Sequence, residues 1–130
     1  MVKSSLATAA PIALFEYDFD EHAGAQGAII IGANRIPAGS IILDGIIYVI
    51  TAPLSEGSAT VAISVIGAND LLTATAIATL SVNSFHDLVP VCTAATVLRA
   101  TAPLGCTFTI ATADLTAGKI AVAIRYVDLY

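Results

Sequence analysis

The chain has 130 residues, 57% of them apolar and only 12% charged, with a formal net charge of −5. No purely apolar run exceeds five residues, whereas a membrane helix needs roughly 18 or more, so a membrane-spanning helix is excluded. The acidic balance and the scattered cations Lys3, Arg35, Arg99, Lys119 and Arg125 argue against nucleic-acid binding, which clusters Lys and Arg against phosphates.

Residues 1–11 mix small polar and apolar side chains and end at Pro11, which predicts an extended N-terminal arm. The stretch from Ser4 to Phe15 is broken by Ser, Thr and Pro11, so it lacks the continuous apolar core of a signal peptide, and synthesis in the cytoplasm is the expectation. Ile12–Glu21 then alternates. Glu16, Asp18 and Asp20 share one parity with Ile12 and Leu14, while Phe15, Tyr17 and Phe19 share the other, which predicts a strand with an acidic face and an aromatic face. The arm and this first strand form residues 1–20, and the remaining domain spans 21–130.

Gly27–Gly32 contains three consecutive isoleucines, apolar on both faces, and reads as a central strand. Turn chemistry at 36–39 leads into Ser40–Leu43, and Asp44-Gly45 marks a bend or bulge before Ile46–Thr51. After a turn at 53–57, Ser58–Val65 places Val61, Ile63 and Val65 inward and Thr60, Ala62 and Ser64 outward. The turn at 67–70 ends on Asp70, a candidate cap for a short helical turn. Residues 73–82 fit a strand or a helix, with strand favoured on β-branched content. Phe85–Val91 reads as an edge segment, because Pro90 cannot donate to a ladder. Thr96–Thr101, Cys106–Thr112 and Lys119–Val127 complete the strand set. Short strands at this spacing predict an all-β, antiparallel sandwich, either a jelly roll or a simpler Greek key. Thr-Ala-Pro-Leu recurs at 51–54 and 101–104, and Ile-Gly-Ala-Asn at 31–34 and 66–69. Their unequal offsets point to a reused turn rather than a tandem repeat.

No side-chain constellation points to a reaction. His22 and His86 are 64 residues apart, no Gly-x-Ser-x-Gly elbow is present, and phosphate-binding and His-Glu-x-x-His motifs are absent. No enzymatic activity and no cofactor are therefore expected. Carboxylates spaced along one strand do not wrap a metal ion, so no metal site is expected either. Cys92 and Cys106 either pair or stay as buried thiols, and the buried thiol is favoured. The acidic stripe reads first as solvated or subunit-facing; as an interface it would pair with Lys or Arg on a neighbouring chain. Glu16, Tyr17, Asp18, Phe19 and Asp20 are the candidate interface residues. The outward faces Thr60/Ala62/Ser64, Thr107/Thr109/Ala111 and Ala121/Ala123 are small and uncharged. A solitary sandwich normally guards such faces with charge. Their blandness predicts a homo-oligomer, a trimer favoured over a dimer, or docking on a scaffold.

The order of features carries one resemblance. Ile36-Pro37-Ala38-Gly39-Ser40-Ile41-Ile42 precedes Glu56-Gly57-Ser58-Ala59-Thr60-Val61, then the Gly67–Leu72 turn, then Leu115-Thr116-Ala117-Gly118-Lys119-Ile120 and Arg125-Tyr126-Val127. This layout, over about residues 26–127, resembles the head decoration or cement proteins of tailed bacteriophages and related small virion modules. The resemblance implies a virion protein that binds the outside of the mature capsid. It would contact the major capsid protein, bridge neighbouring capsomers and stabilise the head. A β-rich receptor-binding or fibre module is the alternative, and it calls for exposed aromatics that the chain barely supplies.

Overall fold

The computed structural model describes residues 11–67, 70–90 and 99–128. Residues 1–10 of the expected arm at 1–11, Cys92 and residues 96–98 of the expected strand at 96–101 lie outside these; of the rest of that strand, Arg99 makes only an isolated bridge to Ile41 and 100–101 leave the ladder. Eight strands are present among the described residues: β1 (Ile12–Asp18), β2 (Gly27–Ile36), β3 (Ser40–Leu54), β4 (Thr60–Ser64), β5 (Leu72–Ala76), β6 (Phe85–Leu88), β7 (Leu104–Ala111) and β8 (Ala117–Asp128). A one-turn helix, α1 (Phe19–His22), follows β1, and a short 3-10 turn (Ile77–Thr79) follows β5.

The strands form two four-stranded antiparallel sheets, ordered β1-β8-β3-β6 and β2-β7-β4-β5. β1 pairs with β8, β2 with β7, β3 with β6 and β4 with β5. That nested pairing is one long hairpin, folded at β4–β5 and rolled so that its halves alternate between sheets. The result is a jelly roll, which resolves the choice left open by the strand pattern.

Alternation decides what fills the space between the sheets. Along β8 the buried residues are Ile120, Val122 and Ile124, with Lys119, Ala121, Ala123 and Arg125 on the outer face. On β4 Val61 and Ile63 point inward while Thr60, Ala62 and Ser64 lie outward, as expected. β7 contributes Cys106, Phe108 and Ile110 to the core, and β3 contributes Ile42, Ile47 and Val49. A bulge interrupts the β3–β8 register between Ile42 and Asp44, where Asp44-Gly45 signalled it. Of residues 73–82, favoured as strand, only 73–76 belong to β5, and the chain then enters the 3-10 turn at 77–79; β6 is an edge strand.

Other expectations are corrected here. The segment around Ile29–Ile31 is not central: β2 is the edge of its sheet, and Ile30 is 68% exposed. Apolar side chains on both faces marked an uncovered outer face rather than a second packed layer. Asp70 caps no helix. Its carboxylate accepts from the backbone N–H groups of Val65, Ile66 and Gly67 at 2.8–2.9 Å, closing the turn behind it while Leu72 continues as strand. The repeated Thr-Ala-Pro-Leu strings do not share a conformation, since 51–54 ends β3 whereas 101–103 is a bend before β7.

A candidate interaction surface

β1 is the edge of the first sheet, beside β8. Its outward residues are Ile12, Leu14 and Glu16, and its inward residues are Ala13, Phe15 and Tyr17. The alternation holds only to Asp18. There the carboxylate accepts from the Asp20 N–H at 3.0 Å and caps α1, with acidic Asp20 and Glu21 in the first turn. Asp18-x-x-Glu21 has the spacing of a capping box, a signal present in the sequence that the parity reading passes over. Phe19 and Asp20 therefore sit on a helical turn, not on opposite faces of a strand.

The five candidate interface residues separate into two environments. Tyr17 belongs to the core: its ring stacks on Phe108 at 4.3 Å between centroids, and its hydroxyl donates to the Ala23 carbonyl at 2.7 Å. Burial, with the Asp18 charge adding to it, pushes the phenol up to about 12. Phe19 is half-buried against the same core. Glu16, Asp18 and Asp20 remain at the surface. Lys119 on β8 lies 3.9 Å from Glu16 and 3.7 Å from Asp18, so the stripe has a counter-ion within its own chain. Such exposed pairs hold little energy.

The acids gather at one end of the sandwich. Glu16, Asp18, Asp20 and Glu21 share it with Glu56 on the β3–β4 loop and Asp114 on the β7–β8 loop. These loops are tied together: the Asp114 carboxylate accepts from the Gln26 N–H at 3.1 Å, and the Asp114 carbonyl from the Ser55 hydroxyl at 2.6 Å. Among the described residues no group of three or more His, Cys, Asp or Glu is placed to hold a metal ion.

The histidines are apart and separately engaged. His22 Nδ1 accepts from the Asp18 N–H at 3.2 Å, and its ring stacks on Tyr17 at 5.8 Å. His86 Nε2 lies 3.0 Å from the Ser84 hydroxyl, which itself donates to the Ser81 carbonyl. Cys106 is a free, fully buried thiol whose pKa burial, and then Asp70, pushes up to about 12, well away from a reactive thiolate.

Two features of the surface were not read from the sequence. Arg35 donates to the Leu14 carbonyl and holds its guanidinium 5.8 Å above the Phe15 ring, covering the free edge of β1. It reaches there from a bulge in β2, where Gly32 has φ +62° and a Cβ would come within 2.8 Å of Arg35 and Phe15. Arg125 on β8 forms a two-pronged pair with Asp44 on β3, at 2.9 and 2.6 Å, which holds the Asp44 carboxyl below its usual range. Partners 81 positions apart in sequence are visible only once the β3–β8 register is known.

The two outer faces differ in chemistry. That of the second sheet is uncharged, with Thr60, Ala62 and Ser64 on β4 beside Ala111, Thr109 and Thr107 on β7. That of the first sheet carries the Lys119 and Arg125 pairs around a run of apolar residues.

No protein-family profile matches the chain, and no curated protein matches it. Solved structures do. The chain is similar to one in the capsid of Ralstonia phage GP4, with a TM-score of 0.63 and 14% identity over 94% of this chain and 87% of that one. It is similar to a chain in the acidic stable capsid structure of Helicobacter pylori bacteriophage KHP30, with a TM-score of 0.60 and 14% identity over 92% and 87%. A chain in the capsid asymmetric unit of cyanophage Pam1 gives 0.60 and 15% over 92% and 86%. At such identity the likeness is one of fold: the whole sandwich is shared with chains of phage capsid structures.

Proposed function

We propose that this protein is a structural component of a bacteriophage virion that binds the outer surface of the head and bridges neighbouring capsomers. The observation that carries the reading is the fold match, end to end, with chains of three phage capsid structures. The coverage of both partners is similar, so those chains are close to this one in length. The uncharged outer face of the second sheet supports it, since a surface of Thr, Ser and Ala with Ile30 exposed beside them lets a second protein approach closely without desolvating charge. Holding is multivalent. Many copies engage one lattice, so each contact is modest while the shell as a whole is strapped. The partner is the major capsid protein, and no chemistry is performed.

Particles stripped of the protein and then given it back test this reading. Purified protein is expected to rebind the heads to a fixed copy number and to raise their resistance to heating. Deletion of residues 1–11 is expected to lower that occupancy. Failure to rebind, or rebinding without any gain in head stability, counts against a clamp.

A further inference from the structure

We propose that the outer face of the first sheet is a self-complementary surface on which two copies of this chain pair about a two-fold axis. In sheet order β1-β8-β3-β6, the middle of the face is the seam between β8 and β3. β8 presents only Ala121 and Ala123 between its two charges, while β3 beside it raises Ile46 and Tyr48. The alanines line part of a cavity of about 470 Å³, between Leu14 and Glu16 on one side and Ile46 and Tyr48 on the other, whose lining also takes in Glu21, His22 and Arg35. A hollow of about 280 Å³ continues it over Ala123 toward Arg125 and Asp44. Ile46 on β3 is 39% exposed beside the alanines, and Leu14 and Phe85 on the two outer strands are 61% and 64% exposed, so apolar side chains lie open across the face.

A two-fold axis along the β8–β3 seam sets β8 of each copy over β3 of the other, with the rows of residues in register. Ile46 and Tyr48 then enter the alanine groove of the facing copy, large against small in both directions. Arg125 meets Asp44 of the partner subunit, and Asp44 meets the partner's Arg125, so the pairing within each chain becomes a four-charge cluster across the contact. Glu16 and Asp87 line the two ends of this surface on its outer strands, and the same register sets Glu16 against the partner's Phe85 and Asp87 against the partner's Leu14, at the margin of the contact. Two sheets stacked with nearly aligned strands is the ordinary geometry of face-to-face packing. An isologous contact of this kind gives a dimer, in place of the trimer favoured from composition. The pairing stands apart from the virion role, because soluble protein without capsids tests it.

Sedimentation equilibrium on the full chain is the test. The native protein is expected to be a dimer. Ala123→Arg fills the groove from the outer face, leaves the core untouched and is expected to give a monomer with an unchanged melting transition. Arg125→Glu makes the facing charges all negative and Asp44→Arg makes them all positive; each alone is expected to weaken association by about tenfold or more. An equimolar mixture of the two restores opposite charges across the contact and is expected to associate more tightly than either variant. A native protein that stays monomeric to about 100 µM, or that forms trimers, overturns the proposal. So does Ala123→Arg protein that pairs like the native chain, or a mixture no tighter than its components.

Discussion

At the residue scale, Tyr17 shows how one side chain links the first strand to the core. Its ring lies flat on Phe108 of the opposite sheet and its hydroxyl ties the chain just after α1. Because burial raises its folded pKa to about 12 from an ordinary 10, the folded form keeps a proton that the unfolded chain releases. That contribution to stability is complete below pH 10 and is lost as pH rises from 10 toward 12. Alkaline unfolding followed by circular dichroism is expected to begin in that window. Phenolate absorbance for one tyrosine is expected to appear with unfolding rather than before it, and Tyr17→Phe removes the effect. The shared parity of Phe15 and Tyr17 was legible from alternation, while their inward direction, which takes Tyr17 out of the candidate interface, was not. Phe19 was not, because the Asp18 carboxylate stops the strand one residue earlier by bonding the backbone, and parity is blind to capping.

At the scale of elements, local polar chemistry overrides pattern in the same way at Asp70. One carboxylate satisfies three consecutive backbone N–H groups, in a turn whose other partners for them would be water or nothing. Asp70→Ala leaves those donors unmet at a site where Asp70 itself is buried, and is expected to cost roughly 2–4 kcal/mol in denaturant unfolding. Asp70→Asn is expected to cost less, since it keeps an acceptor oxygen. Strand content was readable where apolar and polar residues alternate, as in β4 and β8, because one face of each is core. It was misleading in β2. There Ile30 faces outward at a sheet edge, so three isoleucines in a row describe an exposed edge as well as they describe a buried centre. The Gly32 bulge and the reach of Arg35 to β1 depend on a positive φ that no periodicity reveals.

At the scale of the whole molecule, the nested pairing of β1 with β8 and β4 with β5 makes the sandwich a rolled hairpin. Class was legible because alternation and turn chemistry are local, but strand number was not, since Ser40–Leu43 and Ile46–Thr51 are one strand running through the bulge at Asp44. Sheet order was not, since register joins residues such as Ile12 and Arg125 that are far apart along the chain. The roll leaves two broad faces of different character. The face of the second sheet is uncharged, with Thr, Ser and Ala side chains beside the exposed Ile30; that of the first sheet has apolar side chains between banded charges. Electron cryomicroscopy of purified virions tests this account most directly. Density for the two four-stranded sheets is expected on the outside of the head, repeated with the symmetry of the lattice. Particles whose outer surface lacks that density, or that carry the protein only on the tail, contradict it.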